Sequence, residues 1–242
     1  MPSQLLTERH GATLILTLCD PDSRNSLSQQ LVSAFAEALD VAESDPQVSC
    51  VAVRGEGADF CSGLDPAELL QPALPGFASP LVQGLDQLLE ALRVFPKPVL
   101  AAVEGSACGG GLSLALACDL MVAAEDASFA LGRPAVGPGA ATAGAEPGAF
   151  ERLADALPAP LLQQLVWLGE PIGAQRLHAL GRVGWISPPG QALAEALRIA
   201  DRLAALAPQT LAEAKERVQL LRAPQPRTSN GSGSGAGVDQ AS

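Results

Sequence analysis

Apolar residues along this chain alternate, then recur at helical spacing, and the switch happens more than once. Residues Ala12 to Cys19 alternate as a strand does, and Asp20-Pro21-Asp22-Ser23 breaks the run. Leu27, Leu31, Phe35 and Leu39 then share one stripe at the helical period, and Cys50 to Arg54 returns as a strand. The glycine-rich connection Gly55 to Asp65 leads to a short helix, Pro66 to Leu70, with Asp65 at its cap position. The proline-containing stretch that follows, to about Ser79, lacks periodicity and reads as a loop placed to cover a site. Leu81, Leu85, Leu88 and Leu92 repeat the helical stripe until Pro96 and Pro98 stop it, and the strand Pro98 to Val103 comes next. Leu112 to Ala117 favours a helix, Asp119 to Ala124 a strand, and Ser128 to Leu131 a shorter one. From Phe150 onward the pattern is helical: Phe150–Leu157, Ala159–Leu168, Gly173–Leu180, Pro189–Leu206 and Pro208–Leu221. Strands alternating with helices, then helices alone, predict an α/β core with a helical C-terminal section.

The centre of this pattern is Gly109-Gly110-Gly111, where a strand hands over to a helix. The first backbone N–H groups of a helix have no internal partner and carry the positive end of its dipole. Glycine lets a ligand atom reach them without meeting a Cβ. An oxyanion, or a carbonyl about to become one, can be held there by main-chain donors alone. The same triplet also serves tight backbone packing, so by itself it leaves both roles open. Other motif readings fail on spacing. A nucleophile elbow needs serine midway between Gly105 and Gly109, where Ala107 stands, and neither a dinucleotide fingerprint nor a P-loop is present.

Composition narrows the choices further. A chain of 242 residues with 48% hydrophobic residues fills one large domain, here 1–222 with a core to about residue 150. Residues 223–242, APQPRTSNGSGSGAGVDQAS, read as a flexible tail. The formal net charge of −11 speaks against nucleic acid as a partner. With no run of eighteen apolar residues and no basic segment leading a hydrophobic one at the N-terminus, no membrane span and a cytoplasmic location are expected. Five cysteines, Cys19, Cys50, Cys61, Cys108 and Cys118, lack metal-ligand spacing and are expected to be reduced thiols with no metal site.

Three motifs, DFCSGLD at Asp59–Asp65, KPVLAAVEGSACGGGLSLALACDLMVAA at Lys97–Ala124 and AQRLHALGRVGWI at Ala174–Ile186, resemble the crotonase superfamily of enoyl-CoA hydratases and isomerases. The similarity in order and spacing runs from about Leu14 to Arg217. It implies a spiral of ββα units, a helical trimerisation region giving a homotrimer or hexamer, and a site for an acyl-CoA or acyl-carrier thioester. Coenzyme A would be part of the substrate, with no separate cofactor. Carried over by position, the two backbone N–H donors that hold the thioester oxygen and stabilise an enolate are those of Leu64 and Gly110, flanked by Ser62, Gly63 and Gly109. Two such donors aimed at the oxygen contribute roughly 3–4 kcal/mol each to lowering the barrier.

The acids are where the chain departs from the pattern. Hydratases of the family carry one glutamate two positions after the triplet, where Ser113 stands, and another where Arg133 stands. Hydration needs a base for water and an acid for Cα, and neither replacement supplies them. The remaining candidate acid is Glu146, in a Gly/Ala-rich loop. Arg24 and Lys215 match positions where relatives hold the coenzyme's phosphates, Ser113 and Arg133 remain substrate contacts, and His178, Cys61 and Cys108 have structural readings. The expected activity is isomerisation or decarboxylation ahead of hydration. The alternative is a catalytically degenerate acyl-CoA-binding or accessory protein.

Overall fold

The computed structural model describes residues 3–69, 79–132 and 149–222. In chain order the elements begin with β1 (Gln4–His10), β2 (Thr13–Cys19), α1 (Gln29–Ser44), β3 (Cys50–Gly55), α2 (Pro66–Leu69), α3 (Pro80–Val94) and β4 (Val99–Val103). They continue with β5 (Ser106–Cys108), α4 (Gly110–Ala117), β6 (Leu120–Ala124), β7 (Ser128–Ala130), α5 (Ala149–Ala156) and α6 (Ala159–Leu168). The last are β8 (Ile172–Gly173), α7 (Ala174–Ala179), β9 (Trp185–Ser187), α8 (Ala192–Ala204) and α9 (Pro208–Arg222). This is the mixed α/β architecture expected.

Six strands form the main sheet in the order β1-β2-β3-β4-β6-β9, all parallel except the β1–β2 hairpin. A second sheet, β5-β7-β8, sits at the end of these strands. Strand parity decides which layer each residue enters. Val51, Val99, Ala101, Val103 and Ala123 join the large core beneath α1 and α3, with Phe35, Leu85 and Leu92. Their neighbours Cys50, Leu100, Ala102 and Val122 face the other way and are covered by Ala192, Ala196, Ile199 and Ala200 of α8. Serine caps start α1 and α3: Ser28 Oγ accepts from Leu31 N–H at 3.1 Å, and Ser79 Oγ from Val82 N–H at 3.2 Å.

Four strands escape the sequence pattern. β1 is almost wholly exposed, so it carries no apolar alternation and is held by its pairing to β2. β5, β8 and β9 have three, two and three residues, too few for a period to show. The reading of helices alone after Phe150 is therefore corrected, since β9 extends the main sheet beside β6. The helix after the triplet also begins two residues earlier than expected, with Gly110 itself as its first residue. Among the described residues no helix is long and apolar enough to cross a membrane.

Candidate functional site

Gly109 is the pivot on which β5 turns into α4. Its φ of 50° and ψ of −120° suit glycine alone. Its N–H donates to the Ala130 carbonyl at 3.0 Å, and its carbonyl accepts Ser113 N–H at 3.0 Å as the first bond of α4. A trans peptide sets the C=O of one residue and the N–H of the next in opposite directions. With the Gly109 carbonyl turned into the helix, the Gly110 N–H points out of its N-terminus.

The Leu64 N–H is aimed by the same argument. Leu27 N–H donates to the Gly63 carbonyl at 2.8 Å, and Asp65 N–H donates to the Leu27 carbonyl at 2.9 Å, a one-residue parallel bridge. The Gly63 carbonyl is thus turned toward Leu27, and the Leu64 N–H of that peptide points away from it. No acceptor for the N–H of Leu64 or of Gly110 is found among the described residues. The two donors are neighbours. Gly63 has φ 102°, and a Cβ placed on it would lie 3.0 Å from the Cys108 carbonyl oxygen and 3.5 Å from Gly110 N.

Short ladders hold the two loops together. Phe60 and Cys61 N–H groups both donate to the Ser106 carbonyl at 3.1 Å, and Cys108 N–H returns to the Cys61 carbonyl at 2.9 Å. Asp59 Oδ1 accepts Ser106 N–H at 3.0 Å. The surroundings are apolar: Leu85 Cδ2, Leu27 Cδ1 and Leu64 Cδ2 lie 3.1, 3.4 and 3.5 Å from where a Gly110 Cβ would sit. Low polarity strengthens any hydrogen bond formed to the two donors.

The other expected site residues divide. Ser113, on the first turn of α4, is 5% exposed, and its Oγ has no hydrogen-bond partner among the described residues. Ser62 is spent on the neighbouring turn, its N–H bonding the Arg24 carbonyl at 3.0 Å and its Oγ the Ser23 carbonyl at 2.7 Å. Through that stitch the exposed Arg24 stands beside the loop that carries the Leu64 donor. Lys215 is engaged elsewhere: Nζ donates to Asp119 Oδ2 at 2.7 Å, the Leu92 carbonyl at 3.1 Å and the Lys97 carbonyl at 3.3 Å. A phosphate at Lys215 would have to displace one of these bonds. Arg133 and Glu146 lie outside the described residues.

The supporting side chains act as the sequence suggests. Asp65 Oδ1 accepts Ala67 N–H at 2.8 Å as the cap of α2. Asp119 also accepts Val99 N–H, at 2.8 Å, and His178 Nδ1 sits 2.8 Å from the Val183 carbonyl at a turn. The five cysteines are free thiols, and burial, reinforced by Asp201, pushes Cys50 up to about 11. Among the described residues no group of three metal-ligating side chains is assembled. Sequence reasoning passed over Asn25, fully buried with φ 59°, whose amide joins three chain segments beside this site.

Comparison with known proteins shows the family. A family model described as enoyl-CoA hydratase/isomerase matches residues 8–228. A 2,3-dehydroadipyl-CoA hydratase of Escherichia coli K12 is 34% identical over 216 residues, covering 88% of this chain and 81% of the relative. An enoyl-CoA hydratase of Mycobacterium tuberculosis is 35% identical over 208 residues, covering 84% and 75%. Among solved structures, an enoyl-CoA hydratase from Polaromonas sp. JS666 superimposes with a TM-score of 0.81 at 41% identity, covering 92% of this chain and 85% of that one.

Proposed function

From a chain that belongs to the enoyl-CoA hydratase/isomerase family, we propose an enzyme that polarises the carbonyl of an acyl-CoA or acyl-carrier thioester between the N–H groups of Leu64 and Gly110. The observation that carries this reading is the pair of adjacent main-chain donors at the α4 N-terminus that have no acceptor among the described residues. As a proton leaves Cα, or as carbon dioxide leaves a carboxylated Cα, negative charge moves onto the thioester oxygen. Donors already pointing there need no reorganisation at that moment. Arg24, exposed beside the same loop, is placed to meet the phosphates of coenzyme A.

Isomerisation or decarboxylation is favoured over hydration. Ser113 and Arg133 stand where two acids would share the proton transfers of hydration, whereas moving a proton between Cα and Cγ needs one base, for which the sequence offers Glu146. Glu146→Gln is then expected to lower the rate by at least about a hundredfold with acyl-CoA affinity nearly unchanged. The missing acids also support a second reading, a binding protein without turnover.

A panel of short, medium and long acyl-CoAs, assayed for turnover and for thermal stabilisation, separates the readings. Turnover abolished by Gly110→Pro supports the enzyme, and stabilisation without turnover the second reading. Neither heat nor stabilisation with any thioester removes both. In the inert case, Ser113→Glu with Arg133→Glu should recover crotonyl-CoA hydration if the donor pair is intact.

The assembly proposed is a homotrimer or hexamer. On α8, Ala192, Ala196, Ile199 and Ala200 are already buried against the chain's own sheet, with Leu193 and Leu203 packed beside them. Support comes instead from apolar side chains left in solvent on α6 and α9, with Trp167 70% and Leu221 86% exposed.

A further inference from the structure

Two adjacent residues, Arg24 (φ 55°) and Asn25 (φ 59°), are the non-glycine residues with left-handed backbone among those described. Asparagine tolerates this region better than most residues, but a consecutive pair is held only where the surroundings over-determine it. The Asn25 side chain supplies the constraint. It is fully buried; Oδ1 accepts Asp20 N–H at 3.1 Å, and Nδ2 donates to the Glu56 carbonyl at 2.9 Å and the Asp59 carbonyl at 2.8 Å. Both amide hydrogens and the amide oxygen are used, tying the exit of β2, the exit of β3 and the start of the 59–65 loop. Space here is closed: a Cβ on Gly55 would meet Asp59 O at 2.1 Å and Asn25 Nδ2 at 2.7 Å.

The bonds that follow lead to the thioester site. On either side of Asn25, the Arg24 carbonyl accepts Ser62 N–H and Leu27 N–H donates to the Gly63 carbonyl. That second bond sets the peptide plane whose other end is the Leu64 N–H. We propose that Asn25 is a positioning residue for the thioester-polarising donor pair, holding the segment 24–27 as the template along which the Leu64 N–H is aimed. This rests on the function proposed above. Asn25 touches no substrate in this scheme, so its loss acts far more on polarisation and rate than on coenzyme A affinity, to which it is linked only through its neighbour Arg24. A merely architectural asparagine would govern stability and leave polarisation unchanged.

The test uses the full-length protein and cinnamoyl-CoA, a conjugated thioester whose absorption moves to longer wavelength as its carbonyl is polarised. Asn25→Gly keeps the left-handed backbone at no steric cost and removes all three side-chain bonds. The expected result is a red shift in wild type that falls by at least half in Asn25→Gly, with Kd for cinnamoyl-CoA within about threefold. For any thioester that is turned over, kcat should drop at least about tenfold while KM stays within about threefold. An undiminished red shift in folded Asn25→Gly overturns the inference and leaves the proposed function standing. Binding by wild type with no red shift removes the donor-pair reading itself, and the inference with it; absence of binding removes the acyl-CoA reading as well. Should Asn25→Gly not fold, Ser62→Ala, which loses only the 2.7 Å bond to Ser23 between the same two segments, takes its place. A partial loss of red shift supports the inference, and a full wild-type shift overturns it.

Discussion

Gly111 has less room than Gly110, although Gly110 carries the donor. A Cβ on Gly111 would stand 2.5 Å from the Cys61 carbonyl oxygen and 2.7 Å from Cys61 Cβ, atoms held by the ladder to β5. On Gly110 the nearest atoms are leucine methyls at 3.1 Å and beyond, which can turn aside. Gly111→Ala should therefore cost about 1–3 kcal/mol in urea unfolding, and Gly110→Ala less, partly offset by alanine's better helix propensity. The opposite ranking would mean that Cys61 yields. Ser113→Ala should be neutral or stabilising by up to about 1 kcal/mol, because it removes a buried hydroxyl with no partner among the described residues. A clear loss of stability would show that the hydroxyl is satisfied in solution. At this scale the triplet was legible because its purpose is local: three glycines between a strand and a helix announce a close approach. Asn25 was not, since the carbonyls that give it meaning lie 31 and 34 residues away.

α9 is attached through Lys215 above all, with Gln219 Nε2 also donating to the Arg93 carbonyl. Lys215 is 10% exposed, and besides its bonds to Asp119, Leu92 and Lys97 its Nζ lies 5.9 Å above the Phe95 ring. Lys215→Met keeps the stem and leaves Asp119 partly buried without its cation. About 2 kcal/mol should be lost, less than for a fully dry pair because Asp119 is 25% exposed. Limited proteolysis should find α9 cut sooner, while coenzyme A affinity stays the same; a tenfold weaker affinity would restore Lys215 to the phosphate. The helices α1, α3 and α8 were readable because each buries a continuous apolar stripe, α1 and α3 in the large core and α8 on the sheet. β1 was hidden by exposure and β9 by brevity: the hairpin with β2 makes β1 a strand, and pairing with β6, far back in the sequence, makes β9 one. The α8 helix was seen, but not its target: periodicity says that a face is covered, and only the alternate residues of β3, β4 and β6 say by what.

For the whole molecule, the prediction is assembly through surfaces other than α8. Light scattering at micromolar concentration should give a mass of three or six chains, and Trp167→Glu, at a side chain 70% exposed, should lower it without loss of fold. Ile199→Ala, on α8, should instead cost about 2–4 kcal/mol per chain and leave the mass unchanged. A monomeric wild type would sink the assembly, and dissociation by Ile199→Ala would return α8 to the interface. The position of α8 also matters while the chain is being made. Synthesis runs from the N-terminus, so the strands that present Cys50, Leu100, Ala102 and Val122 leave the ribosome long before Ala192 to Ala200 exist to cover them. Until then the nascent chain carries an uncovered apolar sheet face, together with the free edge of β6 that β9 later occupies. Such surfaces invite premature association, so demand for chaperones should be greatest for chains stopped between residues 124 and 185 and should fall once α8 has been translated.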